Sequence, residues 1–463
     1  MKQFTIHSSQ FTVIIAVIAL LSSCGLYKKY ERPADVEVKG IMRGAETADS
    51  LTFGDVDWHE VFTDPQLQSL IQQGLDNNDD MFAAAANVKK LEAALHAARL
   101  AFLPTVNFNP SGTLSKVLTG NRKGDWSKSY ALPVSASWTF DLFGNILSQK
   151  RSAQMSLEMA KDNEQAVRSR LICSIANSYY TLLMLDRQLE ILDNMESIAT
   201  DTWEMMKLQK ELHGAKETSV VSARSALLNI MAQKVDMRRQ ISEVEASLSL
   251  LVDQPAQRIE RGKLADQSLP VQFATGTELS LLRNRPDVHA AEMNLAACFY
   301  DVENARSKMY PTITISGTGS FTNDLGTIAN PGQWLARFVG GLTQPIFQNG
   351  RLRAQLKVAK LSYEVAFREW EHQILHAGAE VSNALVEYNS SNEMSQIDRE
   401  NVEVLTKAVD YTQQLYRMRS STYLEVLTAQ HQLLNAQIGQ VTNDFNKMQA
   451  VVSLYSALGG GRK

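Results

Sequence analysis

The sequence repeats one set of residue pairs after about 206 positions, and this duplication constrains the fold more than any other feature. Each copy contains an Ala-Arg pair, a Pro-Thr pair, a turn with glycine, and a further pair led by alanine. The positions are Ala98-Arg99, Pro104-Thr105, 141–144 and Ala223-Arg224 in the first copy, and Ala305-Arg306, Pro311-Thr312, 345–350 and Ala429-Gln430 in the second. This period is far longer than the roughly 20–50 residues of solenoid repeats. We therefore expect two half-structures with one shared architecture.

Each copy contains two segments in which hydrophobicity alternates with a period of two. They cover residues 105–115 and 130–142, then 312–321 and 335–344, where Arg337 falls among the apolar positions and blurs the pattern. Strands of about ten residues with one apolar and one Ser/Thr/Asn face are typical of transmembrane β-barrels. A soluble antiparallel sheet with one wet face has the same period and stays open as an alternative.

Four strands are too few for a barrel, because bacterial barrels have at least about eight. In lipid, every strand edge must find a hydrogen-bonding partner. If these strands meet the membrane, further copies of the same chain must supply those partners.

After each strand pair comes a very long helical stretch without proline, at residues 146–212 and 351–418. About 66 helical residues span about 100 Å, and apolar residues at three- and four-residue steps predict coiled-coil packing. Short breaks at 213–216 and 419–421 precede returning helices, so we expect two helical hairpins with these breaks as tips. Before the first strands, Asp64 and Pro65 predict the N-terminus of a helix that continues to Leu103.

The N-terminus has the pattern of a bacterial lipoprotein. Lys2 precedes an apolar run at residues 11–21 that is too short to span a bilayer and ends in Leu-Ser-Ser-Cys-Gly. We predict a signal peptide and acylation of Cys24, with palmitate among the attached chains, and the small Gly25 favours the outer membrane. An ordinary signal peptide with an incidental cysteine is the alternative.

The patterns predict six segments along the chain. They are a lipoprotein signal peptide (1–23), a lipid-anchored tether (24–64), a first repeat (65–252), a linker (253–276), a second repeat (277–458) and a frayed tail (459–463). The tether is expected to be extended, and the linker need not join the wall of a helical tube.

The remaining sequence motifs do not indicate an enzyme, a metal site or a nucleic-acid-binding protein. The net charge of −4 is too small to indicate a nucleic-acid partner, and no phosphate-binding or nucleophile motif is present, so we predict no enzyme, catalytic residue or cofactor. His372 and His376 have zinc-ligand spacing, but Gln373 replaces the general base and no third ligand is evident; methionines at helical spacing favour packing over metal binding. Cys173 and Cys298 could pair, although two lone cysteines are more often small core residues.

Together, these motifs resemble the TolC-like outer-membrane efflux proteins, specifically the lipidated OprM/NodT-type factors of tripartite exporters. The resemblance covers essentially the whole mature chain and depends on the order and spacing of motifs. The motifs are Trp58, Phe62, Asp64-Pro65, Leu67, Asn78, Leu282, Arg285-Pro286-Asp287, Ala291-Glu292, Ala305, Pro311, Gln344–Phe347, Gly350-Arg351-Leu352, residues 423–427 and Ala429-Gln430.

The resemblance implies a mainly α-helical fold with a transmembrane β-barrel, in which a homotrimer forms twelve strands above a periplasmic tunnel. It implies an exit duct that passively exports small molecules, as in multidrug export. Its expected partners are a periplasmic adaptor, an inner-membrane pump of the RND type and outer-membrane lipid, with no nucleic acid. The alternative is a lipid-anchored coiled-coil spacer or adhesin that transports nothing.

The resemblance also points to candidate gate residues at the tips. In TolC, two aspartates at i, i+3 ring the aperture, and the matching positions here are Glu425 and Thr428, so one carboxylate remains. Tyr416 matches a tyrosine that bonds to a neighbouring hairpin in the closed state, and its partner position is Ser219. A solvated helix residue without a gating role is the alternative for Glu425.

Overall fold

The computed structural model describes residues 28–33, 53–116, 118–120, 124, 126–212, 214–268, 284–323, 333–418 and 420–462. The predicted signal peptide and Cys24 lie outside them. Two compact units divide the chain. The strand unit comprises the described parts of Met1–Val36, Val88–Ala160 and Ala291–Trp370, and the helix unit comprises those of Glu37–Asn87, Lys161–Ala290 and Glu371–Lys463.

Eight helices and five strands, besides short 3-10 turns, form the part of the chain that the structure describes. The first copy contains α1 (Trp58–Val61), α2 (Pro65–Asn77), α3 (Asp79–Leu100), β1 (Thr105–Phe108), β2 (Ser111–Lys116), β3 (Trp126–Phe140), α4 (Asn145–Glu211) and α5 (Glu217–Leu251). The second contains α6 (Pro286–Ser307), β4 (Thr312–Asn323), β5 (Gln333–Thr343), α7 (Arg351–Arg417) and α8 (Tyr423–Ala457). None of these helices has an apolar stretch long enough to cross a membrane.

The helices of the two hairpins match in length. Helices α4 and α7 each contain 67 residues, and α5 and α8 each contain 35. Each long helix follows a glycine in the left-handed region, Gly144 at φ 71° and Gly350 at φ 77°, where an L side chain would be strained. The expected hairpins and their tips are confirmed.

One predicted helix is in fact two. The apolar spacing from Pro65 predicted a continuous helix, but Asn78 interrupts it with an extended backbone at φ −63° and ψ 131°. Its side-chain Oδ1 accepts hydrogen bonds from Asp80 N at 2.9 Å and Met81 N at 3.2 Å, and its Nδ2 donates to Leu251 O at 3.1 Å. Asparagine caps a helix in this way, so a local cap overrides the apolar period. At the other end of α2, Asp64 accepts from Gln66 N at 2.9 Å, as predicted.

The strands form one antiparallel sheet in which β3 pairs with β1, β2 and β4, and β4 pairs with β5. The first predicted strand is split at Asn109 and Pro110, because proline cannot donate to the ladder. Both parts keep one register against β3, with Phe108 opposite Val134 and Ser111 opposite Ala131.

The register places most of the large apolar side chains of the strands on one face. Large side chains there are 41–84% exposed: Val106, Phe108, Leu114, Leu132, Val134, Trp138, Ile315, Trp334, Phe338 and Leu342. Arg337 pairs with Thr318 and therefore lies on the opposite face, which is mostly Ser and Thr but also carries Leu335 and Val339 on the same strand. The irregularity expected from Arg337 is therefore confirmed, because Arg337 lies between Leu335 and Val339 on one face of β5.

The predicted tether is wrong for its C-terminal part. Phe53, Trp58, Val61 and Phe62 are at most 4% exposed, and the rings of Phe53 and Phe62 pack edge-on against Tyr455 at 5.5 and 5.8 Å. The free energy gained by burying these large apolar side chains places the segment in the core, although its neighbours in sequence are polar.

The prediction of a frayed tail is wrong for Gly459, Gly460 and Gly461, which are buried. Ser169 Oγ donates to Gly460 O at 2.6 Å, and Gln165 Nε2 donates to Gly461 O at 2.8 Å. Glycine is required because these residues leave no room for a side chain: an added Cβ on Gly459 would lie 2.5 Å from Asn284 O.

The described part of the linker packs on the first copy. Arg261 binds Asp186 and Glu245 at 2.5 Å each. Tyr179 Oη donates to Asp64 Oδ2 at 2.6 Å and accepts from Gly262 N at 3.0 Å. A buried, multiply bonded guanidinium makes this segment a fixed part of the helix unit.

Candidate functional site

The hairpin tips have the same backbone geometry in both copies. At the first tip, Gly214 N donates to Gln209 O at 2.8 Å, and at the second, Ser420 N donates to Leu415 O at 2.9 Å. Such six-to-one bonds close the C-terminus of a helix and reverse the chain. Because the backbones match, differences between the tips lie in their side chains.

Equivalent positions on the two hairpins carry different cross-links. Lys210 and Glu217 form an ion pair between α4 and α5. At the matching positions, the rings of Tyr416 and Tyr423 meet edge-on at 6.3 Å between α7 and α8. Half-exposed ion pairs contribute little to stability, whereas an aromatic pair contributes about 0.5–1.5 kcal/mol beyond burial. The second hairpin is therefore held by a contact that salt does not screen.

Tyr416 also connects the two hairpins. Its hydroxyl donates to Gln209 Oε1 on α4 at 2.6 Å and lies 3.5 Å from Met206 Sδ. Partial burial raises the pKa of Tyr416, although the bond to Gln209 opposes this shift, so the hydroxyl keeps its proton at neutral pH. Ser219 lies in the first turn of α5, where its N–H donates to Lys216 O at 3.0 Å.

A small apolar cluster supports this hydrogen bond. Met206, Ala223 and Tyr423 are at most 8% exposed and pack with Trp203 and Leu427. The guanidinium of Arg224 lies 4.5 Å from the Trp203 ring centroid, a cation–π contact. The packed side chains hold the α4 and α7 ends close enough for the Tyr416–Gln209 bond.

Glu425 stands exposed at the N-terminus of α8. Its carboxylate accepts hydrogen bonds from Ser421 Oγ at 2.7 Å and Thr422 Oγ1 at 3.0 Å. These two bonds, that from Ser421 first, lower the pKa of Glu425, and a negative charge is favourable at a helix N-terminus. Thr428 is exposed one turn later and donates to its own helix at Leu424 O. An aperture built from Glu425 would therefore carry a fixed negative charge at neutral pH.

The sequence predicted Glu425, Thr428, Tyr416 and Ser219 but missed Gln209 and the Lys210–Glu217 pair. The duplication itself contained the signal for the pair, because Lys210 and Glu217 lie 206 positions before Tyr416 and Tyr423. Gln209 carried no signal, because a glutamine on an exposed helix face is ordinary until its neighbour is known.

The side chains set aside as metal ligands or disulfide partners have ordinary surroundings. The rings of His372 and His376 stack at 6.4 Å, and His376 Nδ1 lies 3.2 Å from Glu380. Among the described residues, no cluster of three or more His, Cys, Asp or Glu side chains has a metal-binding arrangement. Cys173 and Cys298 are free thiols, and burial raises the pKa of Cys173 to about 12.

Comparisons with known proteins agree with the expected family. Residues 70–253 and 280–460 match the outer membrane efflux protein family. The pyoverdine export outer membrane protein OpmQ of Pseudomonas putida is 30% identical, with 88% of each chain covered. The toluene efflux pump outer membrane protein TtgF, also of Pseudomonas putida, is 28% identical, with 96% of each chain covered.

A solved structure establishes the fold independently. The outer-membrane channel OprN has a TM-score of 0.84 and 24% identity, covering 94% of this chain and 98% of that one. The expected TolC-like fold class is thereby confirmed. The chain belongs to the outer membrane efflux protein family.

Proposed function

We propose that the chain forms the exit duct of a tripartite efflux system, through which small molecules pass passively out of the cell. As an outer-membrane efflux protein, it lies in the outer membrane with a periplasmic extension, which disfavours the spacer or adhesin alternative. The sheet carries the proposal: its apolar face has side chains as exposed as Phe338 at 84% and Trp334 at 82%. A continuous apolar surface of this kind requires a nonaqueous partner, and lipid is that partner.

The open edges of the sheet favour a homotrimer. Among the described strands, β1 and β2 pair only with β3, and β5 pairs only with β4. Unpaired edges are not tolerated in a bilayer, so each edge must pair with another copy. Since β1 and β2 are two parts of one strand paired with β3, each copy contributes four strands. Three copies would then combine into a twelve-strand barrel, within the size range of outer-membrane barrels.

The helices offer matching surfaces for neighbouring copies. On α5, Val221, Leu228 and Val235 are 58, 47 and 67% exposed, and on α7, Val404 and Tyr411 are 56 and 61% exposed. Within each helix, these residues recur every seven positions, the spacing of a coiled-coil seam. We assign these stripes to contacts between protomers of the periplasmic tunnel.

The tips are the proposed gate and adaptor-docking site. In the resting state, the Tyr416–Gln209 bond would hold the second hairpin against the first, and Glu425 from three protomers would ring the aperture. Because Thr428 stands at the position of the second carboxylate, the ring would have one carboxylate per protomer. A Tyr416–Ser219 contact stays a prediction. An adaptor that competes for these contacts would open the duct.

The cargo does not follow from this chain. OpmQ and TtgF, named for pyoverdine and toluene, are similarly related to it. In this proposal an inner-membrane pump, of the RND type by resemblance, selects the cargo and supplies the energy. Cys24 would be lipidated on its sulfur and would become the first residue when residues 1–23 are removed. The two repeats, 65–252 and 277–458, would act as equivalent halves.

Conductance in planar lipid bilayers tests the duct. Purified protein with Tyr416→Phe should form ion-conducting pores of larger conductance than the unmodified protein, and heat-modifiable trimers should be visible on gels. Photo-crosslinkers placed at residues 214–216 and 420–422 should capture the adaptor. A monomer that stays soluble without detergent and never conducts would refute the proposal.

A further inference from the structure

One charged residue stands alone on the polar face of the sheet. Of the strand residues that the structure describes on this face, only Arg337 has a charged side chain, and most of the others are serine, threonine, asparagine or glycine. Arg337 is exposed, and its guanidinium makes no hydrogen bond or ion pair with another described residue. Its charge is therefore free to act on solutes that lie beside this face.

The register fixes where Arg337 lies in the sheet. It pairs with Thr318 on β4, which pairs with Ser135 on β3, and Ser135 pairs with Asn107 on β1. This row crosses the sheet with three uncharged side chains and one cation. The last residue of β5 is Thr343, and the strand between it and Arg337 is about 20 Å long. Arg337 thus lies well inside the sheet and not at its edge with the helices.

Two apolar side chains flank Arg337 on the same face. Leu335 and Val339 lie two positions before and after it on β5, each about 7 Å away along the strand. They are 50 and 48% exposed, and the β4 residues opposite them are Ser320 and Ser316. A cation between two apolar groups suits an anion with an apolar body, because the guanidinium binds the charge while the apolar groups shield the body from water.

We propose that Arg337 from three protomers forms a ring of positive charge inside the barrel, and that this ring binds organic anions with an apolar group during export. The inference rests on the proposed trimeric duct, in which the apolar face meets lipid and the polar face lines the interior of the barrel. Threefold symmetry places the three guanidinium groups at one depth. The ring would thus favour one chemical class of cargo within a passive duct.

The size of the effect follows from the dimensions of the barrel. Twelve strands about 4.8 Å apart and tilted by about 40° enclose a backbone radius of about 12 Å. Three arginine charges at about half this distance from the axis, in water at about 0.15 M salt, enrich a monovalent anion on the axis by about fivefold. They deplete a monovalent cation by the same factor, so the ring should change the ion selectivity of the pore.

The ion selectivity of pores in planar bilayers tests the ring. Every protein carries Glu425→Gln, so that the carboxylate at the tips does not contribute, and a KCl gradient gives the chloride-to-potassium permeability ratio. Arg337→Gln should lower this ratio by at least about fivefold, whereas Arg337→Lys keeps the charge and should preserve the ratio. Lys116→Gln is the matched control and should also preserve it, because Lys116 lies on the apolar face, 5.3 Å from the Trp126 ring centroid.

Inhibition of the current by sulfonates tests the apolar groups. Benzenesulfonate should reduce the current at a concentration about fivefold lower than methanesulfonate, the factor for removing about 40 Å² of apolar surface from water. Leu335→Ser should abolish this difference and keep the ion selectivity, and Arg337→Gln should abolish both. Equal inhibition by the two sulfonates in pores with Leu335 and Arg337 would overturn the preference for an apolar group.

The outcomes separate this inference from the duct itself. Heat-modifiable trimers on gels report that each variant has assembled. If Arg337→Gln trimers conduct with the same permeability ratio as trimers that retain Arg337, the ring is refuted and the duct stands. If no variant conducts, the duct and the ring are refuted together.

Discussion

Replacing Gly460 with alanine tests whether the C-terminal glycines lock the helix unit. A Cβ at this position would lie 2.5 Å from two carbons of the Tyr455 ring. That ring cannot move easily, because it is fully buried and its hydroxyl donates to Val56 O and accepts from Gly461 N, both at 2.9 Å. Overpacking costs about 1–3 kcal/mol, and losing one hydrogen bond adds about 1 kcal/mol. Gly460→Ala should therefore lower the free energy of unfolding by about 2–4 kcal/mol.

The assay is urea unfolding of the detergent-solubilised protein, followed by loss of the helical circular dichroism signal. Gly439→Ala is the matched control, since that glycine lies in α8 with no atom near an added Cβ. Alanine is favoured over glycine inside a helix by up to about 1 kcal/mol, so the control should raise the midpoint. In a Tyr455→Val background, the cost of Gly460→Ala should shrink, because the clashing ring is gone. An unchanged midpoint for Gly460→Ala alone would mean that the tail is not packed as described.

Three further predictions concern the gate and the sheet. Glu425→Gln should reduce the cation selectivity of the pore in bilayer recordings. Because hydrogen bonds from Ser421 and Thr422 lower the pKa of Glu425, the selectivity of the unmodified protein should be the same at pH 7 and pH 5 and decline only in stronger acid. A loss of selectivity already at pH 5 would contradict this. Tyr416→Phe and Gln209→Ala should each increase conductance. The double variant should conduct little more than either single variant, because both substitutions remove the same hydrogen bond. Phe338→Asp should abolish heat-modifiable trimers on gels, whereas Thr318→Asp on the opposite face should preserve them; equal outcomes would mean that the apolar face does not meet lipid.

Local sequence signals predicted the elements well wherever one physical cause acted alone. The period of two located the strands, the absence of proline located the long helices, and the turns that contain Gly144 and Gly350 marked where α4 and α7 begin. Predictions failed where a second cause competed. Asn78 capped a new helix within an apolar period, and the apolar residues of 53–62 became core despite polar neighbours.

The candidate site could be predicted only in part. Glu425 and Tyr416 were identifiable by resemblance, and the duplication aligned Tyr416 with Lys210. Their partners were not identifiable, because Gln209 lies 207 positions from Tyr416 and no local pattern reports such a contact.

By itself, the sequence determined that the chain is built from two equivalent halves, each with strands and a long hairpin, because periodicity and turn residues act over a few neighbouring positions. Only the tertiary structure decided which face Arg337 occupies, that the C-terminal glycines are buried, and that Tyr416 reaches Gln209. Each of these depends on register or close packing between segments far apart in the chain, where a shift of one residue exchanges the faces of a strand.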